Sequence, residues 1–428
     1  MNIQRNTGNL RVNAERLWSR HMEMAKIGAI PGDGNCRLAM SSEDAAARNL
    51  LATWCAAAGL TMQVDAAGNM FALRPGTDPS LLPIAAGSHL DTQPHGGRFD
   101  GISGVLAALE VVETLNDAGI ETIAPIAVIN WTNEEGVRFG PGLMGSSWFV
   151  GNIADDKLDA IRDADGVSFV EEASARGWRG PQAAGAFPMG AFFELHIEQG
   201  PQLEARSHQV GIVTSVQGLK WLDVEVTGMD GHAGTTPLDH RRDALLTAAR
   251  MLVALNDLGR SFGPDARVSV GRLIPDTDGP STIVGGVRFV IDLRHPDAAV
   301  LAELCSQSEA ICRATAKADG CDIALSERLS VAPKHFDSDC INALSAAARD
   351  LGFSHSEIAS GALHDASNIV DVAPTAMIFV PCRGGISHNV SEYASREDLA
   401  AATSVLLQAM LVKAGVSGPL SVAVGTGL

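Results

Sequence analysis

Short apolar runs alternate with amphipathic helical segments along the first half of the chain, and this alternation restricts the possible folds more than any other feature. The runs LLPIAA and APIAVINW are nearly continuous, as in strands that are buried on both faces. Helical patterns over 42–59 and about 102–118 accompany them. Strands that alternate with helices form mostly parallel sheets with helices on both faces. The pattern therefore predicts an α/β domain with a mostly parallel sheet.

The pattern changes after about residue 213. LKWLDVEVTG and GGVRFVIDLRH alternate apolar and polar residues with a period of two, which is typical of antiparallel strands with one face in solvent. Two helical segments accompany these strands, and the parallel-type pattern resumes after about residue 333. We therefore predict a catalytic α/β domain over 1–212 and 333–428 that is interrupted by an inserted α+β domain over 213–332.

Charge and composition exclude several classes of partner. The chain has 32 basic and 50 acidic residues and a formal net charge of −18, which disfavours nonspecific binding to nucleic acid or anionic membranes. No run approaches the roughly 20 apolar residues of a membrane span, and the N-terminus lacks the apolar centre of a secretory signal. The seven cysteines show no C-x-x-C spacing, as expected of reduced thiols. These features predict a cytoplasmic protein.

Polar clusters follow the apolar runs at the points where the predicted strands end. SHLD follows 83–87, TNEEG follows 124–131, and HIEQG follows GAFFEL. Because sites in such sheets form at the carboxyl ends of the strands, these clusters should meet at one edge. A set of histidines and carboxylates without cysteine suits two divalent ions that share a bridging carboxylate. The candidate residues are His89, Asp100, Glu134, Glu135, His196 and His388.

Each of these residues also has a structural interpretation. Asp100 precedes a helix and could cap it, the two glutamates could form an exposed acidic loop, and a lone histidine at a strand end is more often structural than ligating. His89 and Asp91 are two residues apart, so the carboxylate could hydrogen-bond the imidazole. Adjacent Glu134 and Glu135 cannot share one direction, so one could bind metal while the other acts as a general base.

Two further candidates lie in the predicted inserted domain. GHAGTTP places His232 between glycines, where it could offer a donor to substrate, and an incidental turn histidine is the alternative. Arg294 ends a strand and could bind a carboxylate in a fork, whereas an Arg–Asp surface pair is the alternative. The chain has no G-x-S-x-G, H-E-x-x-H, G-x-x-x-x-G-K-[ST] or strand-linked G-x-G-x-x-G motif. This argues against serine hydrolases, single-helix zinc proteases, nucleotide hydrolases and dehydrogenases.

Taken in order along the chain, these motifs resemble the hydantoinase/carbamoylase family of amidases, which are binuclear metal amidohydrolases. The stretches that carry the resemblance span most of the chain: GSHLDTQPHGGRFDGISGVLAALEVVETL, NEEGVRFGPGLMGS, ELHIEQGPQLE, GHAGTTPLDHRRDAL, DLRHPD, HDA and MIFVPCRGGISHNVSE. The resemblance implies that Asp100 bridges two divalent ions, one held also by His89 and His196, the other by Glu135 and His388. Members use zinc, manganese, cobalt or nickel, and zinc is the expected metal here.

The same resemblance implies three catalytic roles. Asp91 orients His89, Glu134 is the general base, and His232 enters the active site of a partner subunit to stabilise the developing oxyanion. The inserted domain of the family is a lid that also forms the interface of a homodimer. The implied reaction is hydrolysis of an N-carbamoyl-L-amino acid to the amino acid, ammonia and carbon dioxide.

The implied substrate contacts include one departure from the family. Arg294 matches an arginine that binds the substrate carboxylate, and Gln199 and His364 match positions near the ureido group. Ser281 stands where the family usually has an asparagine, and Val284 replaces a proline. A hydroxyl cannot present the donor and acceptor pair of a carboxamide. Allantoate and ureidopropionate therefore stay open as substrates, as do a dipeptidase or aminoacylase activity and a non-catalytic binding role.

Overall fold

The structure is a computed structural model that describes residues 9–417. Within this range the chain divides into two compact units, one formed by 9–214 and 336–417 and the other by Ser215–His335. The predicted boundaries at 212 and 332 lie two and three residues from these limits. Residues 1–8 and 418–428 of the predicted catalytic domain lie outside the described residues. In the part of the chain that the structure describes, no helix has the length and apolar content that a membrane crossing needs.

The secondary structure comprises short strands in both units and helices of up to 21 residues. The strands are β1 (Ala29–Ile30), β2 (Gly34–Asn35), β3 (Thr61–Val64), β4 (Met70–Arg74), β5 (Ile84–His89), β6 (Ile126–Trp131), β7 (Ala191–Ile197), β8 (Val210–Val216), β9 (Gly218–Thr227), β10 (Gly231–His232), β11 (Arg267–Ser269), β12 (Leu273–Pro275), β13 (Thr282–Ile283), β14 (Gly286–His295), β15 (Asp322–Val331), β16 (Lys334–His335), β17 (His355–Ser360) and β18 (Thr375–Val380). The α-helices are α1 (Ala14–Met24), α2 (Ser42–Ala57), α3 (Ile102–Asp117), α4 (Met144–Phe149), α5 (Asp155–Ala160), α6 (Phe169–Ala175), α7 (Gln202–Arg206), α8 (Ala244–Ser261), α9 (Ala298–Ala318), α10 (Ser338–Asp350), α11 (Ala366–Ile369) and α12 (Arg396–Ala414). Leu238–His240 and Arg383–Gly385 form 3-10 turns.

Local signals explain where α2 begins and ends. The Ser41 hydroxyl accepts the backbone N–H of Asp44, which satisfies one of the free amides of the first turn. Glu43 and Asp44 add negative charge where the helix dipole is positive. Gly59 follows the helix with a φ of +82°, a conformation that favours glycine.

The large sheet of the first unit is mixed. Its strands run in the order β8-β18-β7-β5-β6-β4-β3, with β17 beside β8. The four central strands β18, β7, β5 and β6 are parallel to one another, whereas β8, β4 and β3 pair in the antiparallel sense. The prediction of a mostly parallel sheet is therefore right for the centre and wrong for the edges. The loop 65–69 between β3 and β4 is too short for a parallel crossover, which needs a dozen or so residues.

The four central strands are covered on both faces. Every residue of β5, β6, β7 and β18 is buried, and successive side chains point to opposite faces of a strand. Helices α3 and α12 pack against these strands, and α1 and α10 pack in turn against these two helices. These strands are therefore mostly apolar, although Ser88, Asn130 and Glu194 are buried within them, and the candidate polar clusters lie where the strands end.

The second unit is built on an antiparallel sheet in the order β11-β14-β9-β15, with β12 also paired to β14. Alternate residues of β9 and β14, including Leu222, Val224, Phe289 and Ile291, form a core with α8 and α9. The arrangement is the α+β architecture that the period-two pattern indicates. A separate two-stranded pairing, β10 with β13, carries the GHAGTTP turn.

Candidate active site

Five side chains that can bind metal lie together in the first unit, at or just beyond the carboxyl ends of its parallel strands. His89 is the last residue of β5, and His196 is the penultimate residue of β7. Asp100 lies between β5 and α3, Glu135 follows β6, and His388 follows β18. Parallel strands end at the same edge of a sheet, so residues from distant parts of the chain meet there.

The five residues form two groups that share Asp100. The ligand atoms of His89, Asp100 and His196 lie within 4.8 Å of one another, and so do those of Asp100, Glu135 and His388. Asp100 Oδ1 is 3.0 Å from His196 Nε2 and 3.7 Å from His89 Nε2. Asp100 Oδ2 is 3.4 Å from His388 Nε2, which lies 3.6 Å from Glu135 Oε2. Each oxygen of the shared carboxylate thus faces a different group.

The donor atoms fit divalent cations. His89 Nε2 and Glu135 Oε1 are buried and have no hydrogen-bond partner among the described residues. A buried polar atom without a partner costs about 1–3 kcal/mol, and a coordinated cation would remove that cost. Imidazole and carboxylate ligands suit zinc and its neighbours in the first transition row.

Asp100 does not cap α3, contrary to the structural interpretation of this residue. Within the described residues, no side chain caps this helix, which begins at Ile102 after Gly101. Gly101 has a φ of +67°, and a Cβ there would lie only 2.2 Å from the His89 ring. Although burial opposes ionisation, the charges of His196 and hydrogen bonds with His196 and His388 hold the pKa of Asp100 well below its ordinary value. The carboxylate is therefore directed at the histidines.

Backbone carbonyls orient two of the ligand imidazoles. His89 Nδ1 donates to the carbonyl of Asp91, and His196 Nδ1 donates to the carbonyl of Ile197, both at 2.9 Å. Each bond uses Nδ1 as the donor, so Nε2 is the nitrogen that faces the shared carboxylate and that would bind a cation once it carries no proton. Asp91 thus contacts His89 through its carbonyl and not, as predicted, through its carboxylate, whose Oδ1 is 3.9 Å from Nδ1.

The Asp91 carboxylate has a different contact. It accepts the backbone N–H groups of Glu134 and Glu135 at 3.3 and 3.2 Å. Asp91, which follows β5, therefore holds the loop that follows the neighbouring strand β6. Burial raises the pKa of Asp91 to about 7.

Glu134 and Glu135 face different groups. Glu134 Oε2 lies 3.5 Å from His89 Nε2, and its side chain is 11% exposed. Glu135 Oε2 lies beside His388. Burial, followed by the charges of Asp365 and Glu135, raises the pKa of Glu134 well above its ordinary value. This divergence of adjacent carboxylates suits one ligand and one general base.

Two predicted substrate residues border the same groups. Gln199 Nε2 donates to Asp100 Oδ2 at 3.0 Å and to Ser387 Oγ at 3.1 Å. The His364 ring packs against the His196 ring with a centroid separation of 4.5 Å. Gln199 thus contacts the shared carboxylate, and His364 is buried against a ligand ring.

His232 and Ser281 are neighbours in the second unit. The backbone N–H of Ala233 donates to the carbonyl of Ser281 at 2.8 Å. His232 is exposed, and its Nδ1 accepts the backbone N–H groups of Gly234 and Thr235 at 3.1 and 3.2 Å. Since Nδ1 is an acceptor, the neutral ring carries its proton on Nε2, which becomes the outward donor.

Arg294, also in the second unit, forms a forked pair with Asp292. The Nε–Oδ1 and Nη2–Oδ2 distances are 2.9 and 3.0 Å, and Trp221 Nε1 donates to the same carboxylate at 3.0 Å. The Arg–Asp alternative considered for this residue is thus present in the structure. Recognition of a substrate carboxylate by Arg294 stays a prediction.

Sequence reasoning missed several residues that contact the ligands or their backbone, among them Glu392 and Gln93. Glu392 Oε1 accepts the backbone N–H groups of Phe99 and Asp100. Gln93 Nε2 donates to Glu135 Oε2 at 2.6 Å. Both lie inside motifs that carried the family resemblance, DTQPHGG and SHNVSE, but no spacing rule indicates which distant loop each of them contacts.

The chain is similar to known proteins over most of its length. Peptidase family M20/M25/M40 matches residues 85–412. An N-carbamoyl-L-amino-acid amidohydrolase of Rhizobium meliloti is 45% identical over 412 residues, which is 95% of this chain and 98% of that protein. An allantoate amidohydrolase of Bacillus subtilis is 32% identical over 88% of this chain and 92% of that protein. The crystal structure of a hydantoinase/carbamoylase family amidase from Burkholderia multivorans has a TM-score of 0.92 and 45% identity, covering 95% of this chain and 98% of that one.

The matched range includes every candidate site residue, from His89 to His388. The family resemblance inferred from the motifs is confirmed by these matches, which extend over nearly the whole chain. The chain belongs to peptidase family M20/M25/M40, a family of hydrolases, and within it to the hydantoinase/carbamoylase amidases.

Proposed function

We propose that the protein hydrolyses a linear carbon–nitrogen amide bond other than a peptide bond, namely that of an N-carbamoyl-L-amino acid. The observation that carries the proposal is the pair of ligand groups that share Asp100, with Glu134 beside them. The Rhizobium meliloti relative bears this activity in its name. The products are the amino acid, ammonia and carbon dioxide.

The proposal includes two divalent cations per chain, with zinc as the expected metal and manganese, cobalt or nickel as alternatives. One would be held by His89, Asp100 and His196, and the other by Asp100, Glu135 and His388. When bound, such a pair lowers the pKa of an attacking water and polarises the scissile carbonyl. The buried positions of His89 and His196 on strands keep the first group rigid and largely free of bulk water.

The residues of the chain then position substrate and move protons. Glu134 takes a proton from the attacking water and passes it to the leaving nitrogen as the first carbon–nitrogen bond breaks. The carbamic acid that remains loses carbon dioxide and frees the second nitrogen, so that one amino acid, one ammonia and one carbon dioxide are formed. His232 donates its Nε2–H to the oxygen that becomes negative. In other enzymes, removal of one such donor raises the activation free energy by about 3–4 kcal/mol. Arg294 binds the substrate carboxylate, and Gln199 and His364 contact the ureido group.

Allantoate is the second candidate substrate. Ser281 has a hydroxyl where the family usually has a carboxamide, so one donor and acceptor pair to the substrate is missing. The Bacillus subtilis relative is named for allantoate. Since both substrates release ammonia, only direct comparison of their turnover separates them.

A substrate panel tests the proposed function. Protein loaded with zinc, manganese or cobalt is assayed on N-carbamoyl-L-amino acids, ureidopropionate, allantoate, N-acyl amino acids and dipeptides, and ammonia and free amine are measured separately. We expect equal amounts of ammonia and amine from N-carbamoyl-L-amino acids. Amine without ammonia would identify an aminoacylase or dipeptidase, and no turnover of any ureido compound would reject the proposal.

We further propose a homodimer that forms through the second unit, in which His232 acts in the site of the partner subunit. The second unit exposes several large apolar side chains, which favours burial against another surface. Leu238, Leu246 and Val253 are 81, 48 and 64% exposed. The outward Nε2–H of His232 is available for a contact outside its own turn.

Mixing two inactive variants tests this exchange. In a mixed dimer of His232→Ala and Glu134→Gln chains, one of the two sites receives both an intact Glu134 and an intact His232. Random re-association at equal amounts should therefore restore about one quarter of the wild-type activity. Mixed dimers confirmed by differential tagging that show no recovery would contradict the exchange. A His232→Ala variant with wild-type activity would also reject this role for His232.

A further inference from the structure

Glu392 is a buried carboxylate between the two loops that carry Asp100 and His388. Glu392 is only 3% exposed, whereas Asn389 and Ser391 in the same turn are exposed. Oε1 accepts the backbone N–H of Asp100 at 3.1 Å and that of the preceding residue at 3.0 Å. One carboxylate oxygen therefore ties down the backbone at the residue that both ligand groups share.

The other oxygen contacts the segment of His388. Glu392 Oε2 lies 3.4 Å from the hydroxyl of Ser387, and this hydroxyl lies 3.0 Å from Asp100 Oδ2. The glutamate thus connects the backbone of Asp100 with the residue directly before His388. Hydrogen bonds from backbone N–H groups to a carboxylate are among the stronger ones in proteins.

The loop before Asp100 is shaped to admit this carboxylate. A Cβ at Gly97 would lie 2.2 Å from Glu392 Oε1 and 2.4 Å from Glu392 Cβ. Only a residue without a side chain lets the loop close on the glutamate in this way. Gly97 lies three residues before Asp100, so any displacement there would shift the shared carboxylate.

His388 depends on such a link more than the other ligands do. His89 and His196 belong to buried strands, whereas the His388 side chain is 50% exposed and its backbone has a φ of +53° in a turn. The same turn is closed by the backbone bond from Glu392 N–H to the Asn389 carbonyl at 3.0 Å. Glu392 is therefore the buried end of the segment that presents His388.

We propose that Glu392 is a positioning residue that holds Asp100 and His388 in the geometry needed for the cation shared by Asp100, Glu135 and His388. The inference rests on the two-cation function proposed above. Loss of the Glu392 carboxylate should weaken that group more than the other, because the other group shares Asp100 but holds His89 and His196 on buried strands.

The experiment compares Glu392→Ala and Glu392→Gln by cobalt binding. Each protein is equilibrated with buffered Co²⁺, bound cobalt is counted by elemental analysis, and the visible absorption is followed through the titration. We expect two cobalt ions in the wild type and in Glu392→Gln, because glutamine Oε1 can accept the same two N–H groups. Glu392→Ala should retain one ion and bind the second at least about 10-fold more weakly, as for other residues that support metal ligands.

A second variant guards against failure of Glu392→Ala to fold. Gly97→Ala leaves Glu392 intact but forces it away from the loop, so it should also lose the second ion. Glu110→Ala is the matched control. Glu110 is fully buried in the same unit, and its carboxylate is bonded to Arg16, which is not one of the ligands. It should lower the melting temperature and keep two ions.

The outcomes separate the two proposals. A wild type that binds fewer than two cobalt ions would reject the two-cation function itself. A wild type with two ions and a folded Glu392→Ala variant that binds both with unchanged affinity would overturn only the positioning role. Loss of the second ion in Glu110→Ala as well would also overturn it, because general loosening of the unit would then explain the effect.

Discussion

Replacement of Asp100 by asparagine should abolish turnover and leave at most one bound cation. Both ligand groups use this carboxylate, and each of its oxygens faces a different group. Asparagine has nearly the same shape but offers one oxygen and no charge, so it cannot bridge two cations. Mutation of a residue that only supports a metal ligand already lowers metal affinity about 10–100-fold, so loss of a shared ligand should lower it at least about 100-fold. Cobalt content and turnover of an N-carbamoyl-L-amino acid are the measurements.

His95→Asn is the matched control for this prediction. His95 is an exposed residue of the same loop, five residues before Asp100, and it belongs to neither ligand group. The control should keep two ions and full activity. An Asp100→Asn protein with two tightly bound ions and normal turnover would remove the bridging role. Loss of ions in the His95 variant would show instead that the loop is sensitive to any change.

Replacement of Glu134 by glutamine should lower kcat by about 10²–10⁴-fold while both cations stay bound. Positioned proton transfer contributes a factor of this size, and Glu134 is not needed to complete either ligand group. Glutamine keeps the size of the side chain and cannot accept the proton. Steady-state kinetics and cobalt content, measured on the same preparation, check both halves of the prediction.

The neighbouring residue, Glu135, provides the control for the Glu134 prediction. Glu135→Gln changes an adjacent carboxylate by the same chemistry but removes a ligand, so it should lose one ion together with activity. If Glu134→Gln retains kcat within tenfold of the wild type, the proton must be taken by another group. If Glu134→Gln loses an ion and Glu135→Gln does not, the roles of the two glutamates are exchanged.

The sequence was informative about elements because periodicity reflects burial along one short segment. The strand expected at 83–87 is Ile84–His89, and the helix expected over about 102–118 is Ile102–Asp117. Strand pairing could not be predicted in the same way, since the pattern of one strand does not specify which strand lies beside it or whether the two are parallel. The antiparallel pairing of β4 with β6 is for this reason a finding of the structure.

The ligand set was also accessible from the sequence, because imidazoles and carboxylates stood out after apolar runs. The direction of each side chain was not. Asp100 could cap a helix or face the histidines, and the left-handed Gly101 with the His89 ring against it decides between the two. Asp91 was assigned to His89 by proximity in sequence, but its carboxylate accepts backbone N–H groups 43 and 44 residues away.

Local pattern was therefore sufficient to identify the helices and strands, the sheet edge at which the polar residues gather, and the family. Each of these depends on residues within one segment or on short motifs. The positioning contacts required the folded chain. Glu392 bonds to the backbone of Asp100 across 292 residues of sequence, and Gln93 bonds to Glu135 across 42. A hydrogen bond forms only within about 3 Å, and only the packing of distant loops brings those atoms so close.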